Sequence, residues 1–586
     1  MRNVMKRIYP LLIALSVLAT GGAAADPGVD FATLLDEAWE WRLAENPLFA
    51  SRLGDRRYNT MWRDRSLDAI GARHLQKRNF LRRLYAMDRS QLSESDQLNY
   101  ELFRRELQND VDAHQFKAYL MPFSHRGGVQ NLDSQADFLR FTSLKDYEDW
   151  LARLQEIGTV VSQTIDVAEQ GRKSGTVSPR ILMNRVPDQI AMQIVKKAED
   201  SPFFRVFRKL PDSIPADQQQ RLRRAAIDTI DHVIVPAYRK LARYFNNTYL
   251  PACRDSIGLS ALSNGSAWYE FLARKFTTTK MSPNEIHRLG LTEVRRIRDQ
   301  MQSIIDDLEF TGSFRDFLTL LRTDPQFYFD NPDDLYQAYL ATSKRIDPEL
   351  VRLFGKLPRM PYGVKPIPDA IAPDTTTAYY SAPAADGSRA GIYWVNLFKP
   401  DVRPKYEIEV LTVHEAMPGH HLQIALQQEL GDIPKFRRFS GFTAFVEGWG
   451  LYSESLGYDL GLYEDPYSRF GQLTYEMWRA IRLVVDTGIH YRGWTRQQAI
   501  DFFKDNAAKT EHDIVNEIDR YIGNPGQALA YKIGQLKIQS LRESAEQALG
   551  DDFDIRAFHD ELLGAGSVPL DILERRMNAW LTSQQK

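Results

Sequence analysis

Three of the eleven histidines fall within eight residues of the chain. They are His414, His420 and His421, and Glu415 directly follows the first of them. Imidazole nitrogens are frequent ligands of Zn²⁺, and a neighbouring carboxylate can serve as a general base. In the zinc-peptidase signature His-Glu-x-x-His, two histidines one helical turn apart share one Zn²⁺. The group therefore predicts a zinc site with His414 as a ligand and Glu415 as the base.

The spacing to the second histidine differs from that signature, because His420 and His421 come two and three residues too late. On a straight helix His420 would be rotated by about 600° from His414, and His421 would lie roughly 10.5 Å further along the axis. Pro418 clashes with the carbonyl group four residues before it, and Gly419 tolerates unusual backbone angles. We therefore expect a break in the helix that returns one histidine to His414, and the spacing alone leaves both candidates open.

A third ligand is expected on the next predicted helix, where Glu447 lies in the largely apolar stretch Thr443–Tyr452. A catalytic zinc site has three protein ligands and one open position, and a carboxylate in an apolar setting needs a partner. Glu447 is therefore the predicted third ligand. Glu454 is seven residues further on roughly the same face and is a candidate to support the ligands. Gly448 and Gly450 would allow this helix to pack closely.

Hydrolysis of an amide also needs a hydrogen-bond donor for the charge that develops on the carbonyl oxygen. Tyr521 and Tyr531 flank an Asn-Pro-Gly-Gln turn, and Arg520 precedes the first tyrosine. His490 is a further candidate, on a predicted helix that carries Asp486 four residues earlier. The two tyrosines and His490 are catalytic candidates and Arg520 is a substrate-binding candidate. Structural roles are open for each of them, for example an i,i+4 pair of Asp486 and His490.

The elements that must position these residues fall into three regions. Between residues 26 and 356, apolar residues recur at steps of three and four, which is the period of amphipathic helices. Residues 357–400 contain seven prolines, too many for helices, and the helical pattern returns over 401–586. We therefore expect a mainly α-helical protein with its catalytic region at 401–586.

Within the proline-rich segment, Thr375–Tyr380 and Gly391–Phe398 are rich in Thr, Tyr, Ile, Val and Trp. This composition predicts a β-hairpin shortly before the predicted metal-binding helix. The hairpin either bridges the two helical regions or pairs with an extended peptide substrate. In the second case we expect Gly391–Asn396 to be the pairing strand, with Tyr393 and Asn396 near the substrate.

The first 25 residues have the pattern of a secretory signal peptide. Arg2, Lys6 and Arg7 precede a short apolar stretch, Tyr9–Thr20, and small residues end at Ala25. The apolar stretch is shorter than the ~20 residues that a membrane-spanning helix needs. We therefore expect cleavage after Ala25, no stable membrane insertion afterwards, and a periplasmic or secreted protein.

The composition argues against other classes of protein. Lys and Arg total 75 and Asp and Glu total 77, so no basic excess favours nucleic acid as a partner. The single cysteine, Cys253, rules out an intrachain disulfide and a zinc site made of several cysteines. No cysteine follows the N-terminal apolar stretch, so lipid attachment there is not expected.

Four strings in the C-terminal half resemble the bacterial family called domain of unknown function 885 (DUF885). They are His-Glu-Ala-Met-Pro-Gly-His-His from His414, Glu-Gly-Trp-Gly-Leu-Tyr-Ser-Glu from Glu447, Val-Val-Asp-Thr-Gly-Ile-His from Val484 and Pro-Gly-Gln-Ala-Leu-Ala-Tyr-Lys-Ile-Gly from Pro525. The family looks like a distant relative of helical zinc peptidases such as carboxypeptidase Taq, thimet oligopeptidase and angiotensin-converting enzyme. That likeness implies a mainly α-helical, two-lobed fold with a deep channel and a small β-hairpin near the active site.

The resemblance to helical metallopeptidases also bears on the ligands. In some of their signatures a glycine directly precedes the second ligand, as in His-Glu-Phe-Gly-His, and by this likeness His420 is preferred to His421. Glu447 follows His420 by 27 residues. This spacing is similar to that of zinc peptidases whose third ligand is a glutamate on the next helix.

The sequence therefore predicts an exported zinc-dependent metallopeptidase that hydrolyses short or unfolded peptides, as a carboxypeptidase or an oligopeptidase. His414, His420 and Glu447 would bind Zn²⁺, and Glu415 would activate the water that the zinc holds.

One alternative is a metallohydrolase of a cell-wall or non-peptide amide. Another is a periplasmic peptide-binding protein without turnover, although binding alone would not need Glu415. A third is a helical protein whose histidines form only a hydrogen-bonded cluster. Detection of a bound metal would argue against this third alternative.

Overall fold

The computed structural model describes residues 26–585 except 370, 371, 373–375, 385, 386 and 388. The predicted signal peptide, residues 1–25, lies outside the described residues, as does the first residue of the predicted strand that begins at Thr375. The fold is mainly α-helical with one small sheet, as predicted. None of the helices in the described part is both long enough and apolar enough to cross a membrane.

The helices before the sheet are α1 (Pro27–Glu45), α2 (Pro47–Arg52), α3 (Leu67–Tyr85), α4 (Glu94–Ala113), α5 (Leu144–Gln155), α6 (Ile157–Ser174), α7 (Arg180–Met183), α8 (Val186–Ala191), α9 (Arg205–Arg208), α10 (Ala216–Thr229), α11 (Val235–Tyr244), α12 (Leu250–Ala252), α13 (Gly265–Thr277), α14 (Pro283–Asp307), α15 (Phe314–Thr323), α16 (Pro332–Ile346) and α17 (Leu350–Leu353). The strands are β1 (Tyr362–Pro366), β2 (Ala378–Ser381) and β3 (Gly391–Val395). The helices after the sheet are α18 (Ile408–Glu415), α19 (His420–Glu429), α20 (Lys435–Arg438), α21 (Thr443–Leu456), α22 (Pro466–Tyr491), α23 (Arg496–Asn506), α24 (Glu511–Gly523), α25 (Ala530–Leu549), α26 (Ile555–Gly564) and α27 (Leu570–Gln584). Short 3₁₀ and π segments join several of these helices.

The three strands form one sheet in the order β1-β3-β2. β3 runs parallel to β1 and antiparallel to β2, so β2 and β3 are the predicted hairpin and β1 is an unpredicted addition. Because both edges of β3 are paired, the prediction that Gly391–Asn396 is the strand that receives a substrate is wrong. β2 is an edge strand instead.

Buried apolar side chains form two large clusters, and each contains residues from both predicted helical regions. One cluster joins Phe31 of α1 to Met577 of α27, and the other joins Tyr238 of α11 to Ile481 of α22. α22 contributes to both clusters, since its Leu483 belongs to the first. This helix is therefore held between the two clusters.

Helices α21 and α25 touch at a pair of glycines. A Cβ atom on Gly448 would lie 2.5 Å from Cα of Gly534, and a Cβ atom on Gly534 would lie 1.9 Å from the carbonyl oxygen of Ala444. Real Cβ atoms do not approach backbone atoms this closely, so both positions require glycine. The expectation that Gly448 allows close helix packing is confirmed.

We expect Gly448→Ala to lower the free energy of unfolding by about 2–3 kcal/mol, because the added methyl group forces two helices apart. Gly71→Ala is the matched control. Gly71 lies inside α3 with no atom within 4 Å of its would-be Cβ, so the change should stabilise the protein by about 0.5–1 kcal/mol. Urea unfolding followed by circular dichroism measures both, and equal midpoints for the two variants would contradict the packing argument.

Candidate metal centre

The predicted helix break lies between α18 and α19. Ala416 and Gly419 have ψ angles of −111° and −125°, far from helical values. A Cβ atom on Gly419 would lie 1.9 Å from the carbonyl oxygen of His414. The backbone can therefore pass this close to His414 only with glycine at position 419. The indole Nε1 of Trp449 on α21 donates to the carbonyl oxygen of Pro418 at 2.9 Å, which ties the break to the next helix.

The break brings His420 to His414. Their ring centroids are 4.7 Å apart with an interplanar angle of 83°. Nε2 of His420 lies 3.5 Å from Oε2 of Glu447. One donor atom from each of these three residues lies within 4.8 Å of the other two. Among the residues that the structure describes, no other group of His, Cys, Asp and Glu side chains meets this criterion.

The three donors fit a zinc ion. Zinc bonds of about 2.0–2.1 Å in a tetrahedron place neighbouring ligand atoms about 3.4 Å apart, close to the observed separation of His420 and Glu447. Nδ1 of His414 donates to Oε1 of Glu454 at 2.8 Å, which leaves the Nε2 lone pair for a metal. Gly450 leaves room for both rings, since a Cβ atom there would lie 3.1 Å from Nε2 of His414 and 3.2 Å from Cε1 of His420.

Glu454 lies behind the ligands, as expected from its position on α21. It is fully buried and also forms an ion pair with Arg479 at 3.4 Å. Burial raises the pKa of the Glu454 carboxyl, and the positive charge of Arg479 opposes this rise. A carboxylate that accepts from the distal nitrogen of a ligating histidine fixes the tautomer and the orientation of the ring.

Glu415 and the three candidate ligands line one cavity of about 380 Å³. Burial raises the pKa of Glu415, while His420 lowers it and Glu447 raises it further. A raised carboxyl pKa suits a general base, which works best with a pKa near the working pH. Glu447 raises the pKa of His420, and His420 lowers that of Glu447, in each case against the effect of burial.

Two of the predicted catalytic and substrate-binding residues also line this cavity. They are Tyr531 and Arg520, and Nη2 of Arg520 donates to the Tyr531 hydroxyl at 3.2 Å. Tyr521 does not line it, because its buried hydroxyl accepts from Nε of Arg482 at 2.8 Å and from Nε1 of Trp478 at 3.0 Å. Tyr521 therefore supports the cavity wall and cannot reach a substrate.

His490 lies outside the cavity, which contradicts its prediction as a catalytic residue. It is fully buried, its Nε2 donates to the carbonyl oxygen of Tyr521 at 2.9 Å, and its Nδ1 accepts from the amide of Leu259 at 3.2 Å. Asp486 accepts from the hydroxyl of Tyr269 and the amide of Gly526. Both side chains therefore join α22 to neighbouring segments.

His421, the alternative to His420, faces away from the candidate ligands. Its Nε2 donates to the carbonyl oxygen of Met360 at 3.0 Å, and its Nδ1 accepts from the hydroxyl of Tyr380 at 2.8 Å. Since both ring nitrogens have partners in the protein, His421 offers no lone pair to a metal.

Tyr393 and Asn396 also lie outside the cavity, so their prediction as substrate-binding residues is wrong. Both are fully buried. The hydroxyl of Tyr393 lies 3.4 Å from that of Thr412, and Nδ2 of Asn396 donates to the carbonyl oxygen of Ala372 at 2.8 Å. They anchor the sheet, whereas residues 376–380, at and just before β2, face the cavity.

The cavity also contains residues that the sequence did not indicate. Trp478, Arg479 and Arg482 of α22 line it, and the two arginines are almost fully buried. Buried arginines are rare unless they are paired. The sequence did contain a signal for these buried arginines. Arg479 and Arg482 are three residues apart within the apolar run that ends at Ile489.

Comparisons with known proteins agree with this fold. The structure resembles that of a putative lipoprotein from Colwellia psychrerythraea, with a TM-score of 0.88 and 29% identity over 95% of this chain and 100% of that one. A putative lipoprotein of unknown function from Shewanella oneidensis shares the fold, with a TM-score of 0.72 and 19% identity over 93% of this chain and 99% of that one. No curated protein matches the chain. The family model of bacterial proteins of unknown function (DUF885) matches residues 47–577, and the chain therefore belongs to this family.

Proposed function

We propose that this chain is an exported zinc metallopeptidase that hydrolyses short or unfolded peptides. The observation that carries the proposal is the meeting of donor atoms from His414, His420 and Glu447 within 4.8 Å, beside Glu415 in one cavity. Three protein ligands with a fourth position open are typical of catalytic zinc, whereas structural zinc has four protein ligands.

The residues of the cavity can divide the chemistry between them. A zinc ion held by the three ligands would polarise the scissile carbonyl group and promote ionisation of water. Glu415 would accept a proton from the attacking water and pass it to the nitrogen of the leaving amine. Tyr531 and Arg520 would donate hydrogen bonds to the carbonyl oxygen as negative charge develops on it.

Substrate binding would use the edge of the sheet and the size of the cavity. β2 has one unpaired edge among the described strands, and residues 378–380 line the cavity, so an extended peptide could add to this edge. A volume of about 380 Å³ is at the low end for ligand sites and suits a short peptide segment. By the likeness to helical zinc peptidases, the cavity would belong to a deep channel between two lobes.

Export is supported by two independent features. Residues 1–25 have the charged, apolar and small-residue pattern of a signal peptide. The similar proteins from Colwellia psychrerythraea and Shewanella oneidensis are called putative lipoproteins, a class that is exported. A periplasmic or secreted location would give the enzyme access to peptides outside the cytoplasm.

The proposal is tested on the purified mature chain by metal analysis and by incubation with a mixed peptide library read by mass spectrometry. We expect about one Zn²⁺ per chain, cleavage that a chelator abolishes, and recovery when zinc is returned. Metal without cleavage of any peptide would favour a metallohydrolase of another amide. A chain that binds no zinc after purification without chelators and after zinc addition would overturn the metal centre.

A further inference from the structure

With a divalent cation bound, the cavity would hold an excess of positive charge. The charged side chains that line it, apart from the histidines, are three arginines and three glutamates: Arg479, Arg482, Arg520, Glu415, Glu447 and Glu517. Glu415 and Glu447 are the proposed base and a proposed ligand. Glu517 pairs with Arg482 and Arg520, and Glu454, behind the ligands, pairs with Arg479, so the arginine and carboxylate charges balance to within one unit. A bound divalent cation would add two positive charges. The cavity therefore suits a substrate that brings a negative charge with it.

Arg482 is held rigidly in the cavity wall. It is 3% exposed, its Nε donates to the hydroxyl of Tyr521 at 2.8 Å, and its Nη2 donates to Glu517 at 3.1 Å. Its guanidinium carbon lies 4.3 Å from the centroid of the Tyr531 ring. These contacts fix the plane of the guanidinium group before any substrate arrives.

The remaining nitrogen of Arg482 has no partner in the protein. Nη1 is buried and has no hydrogen-bond acceptor among the residues that the structure describes. Buried donors are almost always satisfied, because an unpaired one loses its hydration without compensation. Arg482 lines the cavity and its other nitrogens are engaged, so Nη1 is the one nitrogen of this side chain left without an acceptor.

Arg479 lines the same cavity one helical turn earlier on α22. It is 5% exposed, its Nη1 donates to the carbonyl oxygen of Tyr475 at 3.2 Å, and its Nη2 forms an ion pair with Glu454 at 3.4 Å. The same Oε1 atom of Glu454 accepts from Nδ1 of His414, so a single carboxylate links Arg479 to a candidate ligand. Two buried guanidinium groups therefore line the cavity that contains the candidate ligands, and Arg482 has a terminal nitrogen without an acceptor in the described part of the chain.

We propose that Arg482, together with Arg479, binds the free C-terminal carboxylate of the peptide, so that the chain acts as a carboxypeptidase. This inference rests on the proposed function. A planar guanidinium group matches a carboxylate in shape and charge. In each turnover one water is consumed: its oxygen bonds to the carbonyl carbon of the last peptide bond, the C–N bond breaks, and the released amino acid keeps the nitrogen and gains a proton.

An aspartate or glutamate side chain would present the same carboxylate, so the test needs three peptides of otherwise identical sequence. The first ends in a free acid, the second ends in an amide, and the third ends in an amide with glutamate as its last residue. On the zinc-loaded wild type we expect the last bond of the free acid to be cleaved with a kcat/KM at least about 100-fold above that of the plain amide. Mass spectrometry of the products identifies the bond.

Arg482→Gln should reduce that preference to less than about 10-fold, chiefly through a higher KM for the free acid. Arg469→Gln is the matched control, because Arg469 is also on α22 but does not line the cavity, and the preference should stay at the wild-type value. Zinc content and circular dichroism are measured on both variants. The comparison of peptides on the wild type stands even where Arg482→Gln does not fold.

The outcomes separate this inference from the function on which it rests. Equal cleavage of the free acid and the plain amide, or cleavage at internal bonds, would overturn the carboxypeptidase assignment and leave a metallopeptidase. A selective gain for the amide ending in glutamate would assign the arginines to a side-chain carboxylate and overturn the C-terminal one. Failure of the zinc-loaded chain to cleave all three peptides would overturn the peptidase function itself.

Discussion

Replacement of Glu415 by glutamine is expected to lower the kcat/KM of peptide hydrolysis by about 10²–10⁴-fold, while the zinc content stays at the wild-type level. Glutamine has nearly the same size as glutamate but cannot take a proton from water. Glu415 lines the cavity but is not one of the three clustered donors, so its replacement should leave the ligands in place. Initial rates with a single peptide and metal analysis of the same preparation measure both quantities.

Glu409→Gln is the control for this variant. Glu409 is on the same helix, α18, but outside the cavity, where it accepts from the amide of Tyr463 and forms an ion pair with Arg345, each at 2.9 Å. Glutamine can still accept the first of these bonds, so kcat/KM should not change. Full activity of Glu415→Gln would remove Glu415 as the base. Loss of zinc in Glu415→Gln alone would show that the residue acts on the metal centre.

The residue types of the candidate metal centre could be predicted from the sequence, but the path of the chain between them could not. His414 and Glu447 are predicted from residue chemistry, because Glu415 directly follows His414 and Glu447 lies in a largely apolar stretch. His420 comes close to His414 because Ala416 and Gly419 have non-helical backbone angles. The geometry of a regular helix does not predict these angles. Those angles are stabilised by distant partners such as Trp449, so the preference for His420 needed a family resemblance.

The sheet shows the same limit. β2 and β3 could be predicted from local composition, whereas β1 contains glycine, lysine and proline and reads as a loop. Its parallel pairing with β3 is a contact between separate segments, and this pairing moves β3 from an edge to the centre of the sheet. Tyr393 is buried against Tyr339 of α16 and Thr412 of α18, and residues of β2 line the cavity.

The arginines of α22 were missed for a different reason. An arginine in a sequence usually indicates a solvated helix face. On α22 Arg479 and Arg482 do not lie on such a face, because the helix contributes to both core clusters and these two residues line the cavity. The extent to which other segments cover a helix depends on the tertiary structure and cannot be seen in the sequence of the helix. The sequence therefore indicated the residues proposed to react better than the residues proposed to select the substrate.

The adjacent histidines offer the strongest test of the metal centre. We expect His420→Ala to weaken zinc binding by more than about 100-fold, because loss of a mere hydrogen-bond partner of a ligand already costs 10–100-fold. His421→Ala should keep about one zinc per chain, since it removes only the contacts with Met360 and Tyr380. Competition with a chromophoric chelator measures the affinities of both variants and the wild type.

Thermal unfolding is a second test of the same two histidine variants. A ligand that binds only the folded chain raises the melting temperature, so added zinc should stabilise the wild type and His421→Ala but not His420→Ala. The reverse pattern, with zinc lost from His421→Ala alone, would assign the second ligand to His421 and contradict the geometry at the helix break. Equal losses in both variants would show that the break, and not one imidazole, is what the metal centre requires.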